Sequence, residues 1–282
     1  MRDGGCTAFL QWALPRRRLR WEGYRKVRAQ VCKRLCRRCD ALGLPDLDAY
    51  RGYLESHPAE WAAFDRLCPI TLSRFYRDPP VFDFLASTVL PELGAAARRA
   101  DERTLRAWSV GCASGEEPYT LRLIWQLAVA PKMPEPALRI VATDVVEAVL
   151  ARARAACYSA GSLALLPAAW RARAFEQREK EFCLTARFRE GVDFRLQDIR
   201  AELSAERFSL ILCRNLAFTY FDDALQAETL ARVLSRLLPG GALAIGRRER
   251  LPAGDFPLAP WPGAERLGIF RRSEREVVRL GV

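Results

Sequence analysis

No apolar run in these 282 residues approaches the ~20 needed for a helix to cross a bilayer, although half of the residues are hydrophobic. The apolar stretch near the start, within M-R-D-G-G-C-T-A-F-L-Q-W-A-L-P-R-R-R, is short. Its arginines follow it rather than precede it, which argues against a secretion signal. Internal repeats and low-complexity tracts are missing. So are the standard phosphate-binding signatures. There is no G-x-x-x-x-G-K-[ST], and G-x-G-x-x-G fails because the glycines of the glycine-rich loop are four apart. No lysine waits there for a phosphate. Histidine is almost absent: His57 is the only one and lies outside every motif.

What stands in place of those signatures is A-W-S-V-G-C-A-S-G-E-E-P-Y-T, residues 107–120. A short apolar segment runs into Gly111, a small-residue loop leads to Gly115, and two carboxylates precede Pro118 and an apolar helix pattern. Strand, glycine loop and helix start form the part of an open α/β sheet where a nucleotide-like ligand lies. Carboxylates instead of lysine favour a cationic, hydroxyl-rich ligand over a polyphosphate. S-adenosylmethionine, with a sulfonium, an ammonium, a ribose and no phosphate, fits.

The length suffices for one large domain plus a smaller one. The nine cysteines are odd in number and scattered. Without a secretion signal they are expected to be reduced thiols in a cytoplasmic protein. Residues 1–40 hold twelve Lys/Arg and three Asp/Glu, so they carry +9 of the chain's +11. Such a segment implies an acidic partner surface on protein, nucleic acid or lipid, or else a solvated face.

Trp21, Tyr24, Val27, Val31, Leu35, Cys39 and Leu42 define one face of a helix over 21–42, ended by Gly43 and Pro45. Shorter helices are expected at 47–55 and 59–67, giving a basic helical domain over 1–76. Asp78-Pro79-Pro80 caps a helix that stops near Pro91. From there strands at 104–110, 138–143, 208–213 and 242–246 alternate with helices at 116–129, 145–156, 162–176 and 223–237. A small hairpin is expected within 181–196. The alternation predicts a mainly parallel, doubly wound sheet over 77–282.

Asp144 follows the second strand, 33 residues after Gly111, where an acid can accept hydrogen bonds from ribose hydroxyls or simply cap the next helix. The strand 208–213 runs into Arg214-Asn215-Leu216. Asn215 offers a donor and an acceptor, and Arg214 a fork for a carboxylate. Arg74-Phe75-Tyr76-Arg77-Asp78-Pro79 joins the two regions.

Taken in order, T-L-S-R-F-Y-R-D-P (71–79), W-S-V-G-C-A-S-G-E-E-P-Y-T (108–120), A-T-D (142–144), C-Y-S-A-G-S-L (157–163), F-S-L-I-L-C-R-N (208–215), Y-F-D (220–222) and L-P-G-G (238–241) resemble the CheR-type chemotaxis receptor methyltransferases. The resemblance implies an α/β fold, a Rossmann-like S-adenosylmethionine-dependent methyltransferase sheet with a small N-terminal all-helical domain. It implies methyl transfer to glutamate carboxylates of a chemoreceptor, with Arg77, Tyr220 and Arg214 as catalytic candidates. By the same resemblance Thr71, Ser73, Arg77, Gly111, Gly115, Glu116, Asp144, Asp198, Ile199, Asn215 and Leu216 contact the cofactor, and no metal is involved. The expected partner is an acidic protein substrate, such as a chemoreceptor cytoplasmic helix, met by a monomer through the basic helix, and no nucleic acid is expected. A carboxylate acceptor suits a chain with one histidine, because glutamate is ionised near neutral pH and needs no general base.

The chain departs from the family pattern at Thr71 (usually Asn), Ser73 (usually Thr) and Asp198 (usually Asn). The segment 215–221 is one residue longer than N-V-L-I-Y-F, and G-R-R-E-R (246–250) replaces G-H-S-E. A methyltransferase for another protein or a small molecule, and a non-catalytic S-adenosylmethionine-binding regulator, stay open. Cys32-x-x-x-Cys36-x-x-Cys39 has an iron–sulfur spacing but lies within the predicted helix 21–42, which would spread the thiols. His57 is expected to be a loop or cap residue.

Overall fold

The computed structural model describes residues 3–273. The chain divides into two units: Met1–Thr71 together with Thr219–Gln226, and Leu72–Phe218 together with Ala227–Val282.

In the first unit α1 (Asp3–Arg16), α2 (Trp21–Tyr24), α3 (Arg28–Leu42), α4 (Leu47–Ser56) and α5 (Trp61–Leu67) bury Phe9, Leu10, Leu14, Val31, Leu35, Tyr50 and Phe64. The 21–42 helix expected from the sequence is broken at 25–27. Gly23 lies just before the break. A Cβ there would sit 2.2 Å from the carbonyl oxygen of Thr219, so only glycine lets that backbone approach. The late segment is pinned by Arg20 N–H to Tyr220 O (2.9 Å) and Asp222 N–H to Arg18 O (2.8 Å). The α1 helix was not foreseen, because Gly4, Gly5 and Pro15 blur its pattern. The expectation of nine reduced thiols is corrected. Cys6 pairs with Cys32 and Cys157 with Cys183.

Two arginines of α3 serve the fold rather than the surface. Arg34 donates to the carbonyls of Leu67 and Pro69 at the end of α5, a favourable place for a cation. Arg38 forks onto Glu60 (2.8 and 2.7 Å), which also accepts from the Tyr50 hydroxyl (2.8 Å).

The second unit is built on a seven-stranded sheet. Its strands are β1 (Thr104–Val110), β2 (Ala137–Asp144), β6 (Val192–Leu196), β7 (Phe208–Cys213), β8 (Leu237–Ile245), β9 (Leu258–Pro260) and β10 (Ile269–Arg272), in the order β6-β2-β1-β7-β8-β10-β9. The first five in that order are parallel, and β10 and β9 run antiparallel at one edge. The order reverses at β1, so ligands are expected at the carboxyl ends of β1 and its neighbours. β7 is buried at every position, as an inner parallel strand requires.

A separate three-stranded sheet joins β3 (Cys157–Ser159), β5 (Glu181–Leu184) and β4 (Phe175–Arg178). The hairpin expected within 181–196 is therefore wrong in its pairing. Glu181–Leu184 pairs with Phe175–Arg178, and Val192–Leu196 joins the main sheet beside β2. The helix expected at 162–176 shrinks to Ala168–Ala174, because Pro167 delays its start. The helix after Asp78 does not stop at Pro91. It runs as α6 (Pro79–Phe84), a π turn at Leu85–Val89 and α7 (Leu90–Arg99). Pro91 needs no partner for its missing N–H in the first turn after the π segment.

Hydrogen bonds from Arg38, then from Tyr50, hold the Glu60 carboxyl below its ordinary range. A carboxyl lowered in the folded state stabilises fully above its unfolded value near ~4.3. That stability is lost as pH falls through the folded value. Glu60→Gln should cost about 2–3 kcal/mol at neutral pH, less than a fully buried pair, because a third of Arg38 is in water. Urea unfolding at pH 7 and at about pH 3 should show the gap between wild type and variant closing in acid.

Candidate active site

β1 ends at Val110, and the loop turns through Gly111 (φ 68°), Ala113 (φ 48°) and Gly115 (φ 90°) into α8 (Glu116–Ile124). At Gly111 a Cβ would meet the Leu216 side chain at 2.7 Å. The loop is tied down by Cys112 N–H to Thr143 O (2.9 Å) and Tyr158 hydroxyl to Ser114 O (2.8 Å).

Asp144 closes β2 and is buried. One carboxylate oxygen accepts from Ala113 N–H (2.9 Å), the other from Val146 N–H (3.0 Å). Each oxygen keeps a further lone pair for a ligand hydroxyl. Burial raises the Asp144 carboxyl above its ordinary value, and the backbone donors oppose that rise. Beside it, Val145 and, directly across the β2–β6 pair, Leu196 are exposed apolar side chains. An acid next to an uncovered apolar ledge suits the ribose and adenine of a nucleoside.

Glu116 is buried at the start of α8 and accepts from the hydroxyls of Ser114 (3.0 Å) and Ser162 (3.2 Å). Its neighbour Glu117 was not singled out from the sequence, yet it carries the heavier duty. It accepts from Ser109 Oγ (2.8 Å) and from Arg214 Nη1 (3.1 Å). Arg214 also reaches Asp78 (2.8 Å) and the carbonyl of Arg77 (3.0 Å), and stacks 4.9 Å over Phe82. The two terminal nitrogens of the fork expected to seize a substrate carboxylate are thus engaged by groups of the chain itself. Asp78 leads into α6 without a side-chain cap, its carboxylate being turned to Arg214.

Asn215 (φ 55°) donates its N–H to Glu249 Oε2 (2.9 Å), which also accepts from Gly246 N–H (2.5 Å). A Cβ on Gly246 would lie 2.7 Å from the Asn215 amide nitrogen. Glu249 was missed as a site residue, and the departure from G-H-S-E conceals what it keeps: the glycine and the acid. Arg77 is exposed and Ser73 half-buried. Ile199 is buried, while Asp198 gives both oxygens to Arg200 (3.0 and 2.7 Å). Thr71 and Tyr220 belong to the first unit, where Tyr220 packs 4.9 Å from Tyr24. His57 caps α4 and stacks on Tyr53. Burial pushes the Cys112 and Cys213 thiols well above their ordinary value, so neither is a thiolate near neutral pH.

Residues 71–260 match the family described as "CheR methyltransferase, SAM binding domain", and residues 25–66 match "CheR methyltransferase, all-alpha domain". The chain belongs to the CheR methyltransferase family. It is a methyltransferase that uses S-adenosylmethionine. Among its relatives is a chemotaxis protein methyltransferase of Listeria monocytogenes, 32% identical, covering 70% of this chain and 72% of the relative. Another is the chemotaxis protein methyltransferase of Escherichia coli, also 32% identical, covering 79% and 76%. An uncharacterized 104.1 kDa protein of Rhodobacter capsulatus is 33% identical over 78% of this chain, and the match spans 23% of that relative. Among the described residues of this CheR chain, no helix is long and apolar enough to cross a membrane.

Glu117→Gln leaves the buried Arg214 one carboxylate short and should lower unfolding stability by about 2–4 kcal/mol. Combining it with Arg214→Met should cost less than the two single changes summed. Additive losses in a double-mutant cycle by urea unfolding would show that the pair does not interact.

Proposed function

We propose that this chain esterifies glutamate carboxylates of an acidic, chemoreceptor-like protein. The observation that carries the reading is that, among the described residues, the glycine-loop edge offers no histidine or thiolate as a base, while its carboxylates Glu117 and Asp78 are engaged by Arg214. The one histidine caps a helix of the first unit, and the thiols of Cys112 and Cys213 are held protonated by burial. A carboxylate acceptor is already ionised and needs only desolvation and alignment. A hydroxyl or amine acceptor more often calls for a base. The names of the Listeria and Escherichia relatives support the same direction.

The chemistry supplied by bound S-adenosylmethionine is an electrophilic methyl group on a sulfonium. In our reading Asp144 holds the ribose hydroxyls, Val145 and Leu196 border the adenine, and Glu116 faces the ammonium. Gly111, Gly115, Ile199, Asn215 and Leu216 complete the wall. The family resemblance adds Thr71, Ser73, Arg77 and Tyr220, and gives Asp198, paired to Arg200, a place where a neutral amide is usual. The basic surface is narrower than the sequence implies. Arg34 and Arg38 are engaged inside the first unit, and Arg25, Lys26, Lys33 and Arg37 are exposed to meet an acidic helix.

Two outcomes are expected. Affinity for S-adenosylmethionine should fall as pH drops through the raised Asp144 value, because the protonated acid loses an acceptor, and Asp144→Ala should remove that pH dependence. Calorimetry from pH 8 to 5 checks it, and an equal slope in wild type and variant would take Asp144 out of the site. In a methyl-transfer assay with labelled cofactor and chemoreceptor cytoplasmic fragments, the product should be base-labile. Arg25→Glu/Lys33→Glu/Arg37→Glu should raise KM for that protein without changing cofactor affinity. A base-stable product would overturn the ester assignment.

A further inference from the structure

We propose that the amino ends of β1 and β7 form a second ligand site, for a small phosphate monoester, on the sheet edge opposite the glycine loop. A groove of about 580 Å³ lies there, with Arg103, Thr104, Arg106, Glu206, Arg207 and Ser209 on its walls. A recess of about 220 Å³ shares Glu102, Ser209 and Leu238 with it and is lined also by Gly240 and Gly241 of β8. The main groove has the volume of an ordinary small-molecule site.

Ser209 is 8% exposed, lines both spaces, and its hydroxyl has no hydrogen-bond partner among the described residues. A hydroxyl on a concave wall can both donate to and accept from a ligand. The charge around it is also unbalanced. Glu206 accepts from Arg195 (2.5 Å), but Asp193 shares that arginine (2.7 Å). Arg103, Arg106 and Arg207 form no ion pair within 4.0 Å among the described residues, and against Glu102 and Glu206 they leave a local surplus of one positive charge. Arg106 moreover lies directly across from Arg139 in the β1–β2 register. Like charges placed so are unfavourable, and a bound anion relieves them.

A phosphate monoester carries about −1.5 to −2 at pH 7 and three acceptor oxygens. That meets the surplus positive charge and the three guanidinium groups that line the groove. A nucleic-acid strand is a poorer match, since the groove has no aromatic side chain on which a base would stack. None of these residues belongs to the glycine-loop site, so the inference stands apart from the cofactor reading.

The test uses the full chain saturated with S-adenosylhomocysteine, at fixed ionic strength. Inorganic phosphate, glucose 6-phosphate, glucose and citrate are titrated in turn, followed by calorimetry and by the arginine Nε–H resonances. Phosphate and glucose 6-phosphate should bind saturably and shift a small set of those resonances. Arg103→Gln/Arg207→Gln should weaken binding at least tenfold, and Ser209→Ala several-fold, with unchanged melting temperature and unchanged affinity for S-adenosylmethionine. A response that does not saturate, equal binding by the double variant, or citrate binding as tightly as glucose 6-phosphate would each overturn the proposal.

Discussion

The carboxyl edge of the main sheet is organised around one buried cation. Arg214 has 2% of its side chain exposed, and its charge is answered by Glu117 and Asp78. These residues come from the start of α8, the segment before α6 and the end of β7, which are far apart in sequence. A guanidinium removed from water is tolerable only while its partners hold position. The three segments are therefore obliged to arrive together, and the glycine loop is placed as a by-product. Two carboxylates against one guanidinium also leave the edge negative, with Glu116 and Asp144 adding to it. A cationic ligand is favoured there by simple Coulomb arithmetic.

The same edge collects backbone conformations that side chains avoid. Tyr76, Asp78, Ala113 and Asn215 all have positive φ. Each costs on the order of 1–3 kcal/mol unless its surroundings over-determine it. Here they do. Tyr76 N–H donates to Thr120 Oγ1 (3.0 Å), Ala113 N–H to Asp144 and Asn215 N–H to Glu249. Side chains thus satisfy backbone donors that regular structure would have satisfied elsewhere, and the strain is gathered where strands end and ligands begin.

The parallel strands and the glycine loop were legible because buried strands and tight turns leave local marks: apolar runs of six or seven residues, then small residues. Asp144 was legible because it ends such a run. What escaped was set by distant partners. Nothing local in α2 says that Thr219 will press against Gly23. Residues 181–184 alternate much as a hairpin arm would, yet they pair backwards with 175–178, while 192–196 joins the main sheet. Glu117 looked like the duplicate of Glu116, and only the fold shows one facing serines and the other facing Arg214. Cysteine pairing was equally invisible, since Cys6 meets Cys32 and Cys157 meets Cys183 by tertiary approach.

The return of Thr219–Gln226 to the first unit has a consequence for synthesis. The helices of residues 3–67 emerge first, but the strip that covers Gly23 and bridges Leu19 to Phe221 is made about 150 residues later. At roughly 5–20 residues per second, a nascent chain waits on the order of 10–30 s with that groove uncovered. The first unit is thus an open clasp during translation. Its closure reports that the intervening strands have already been made.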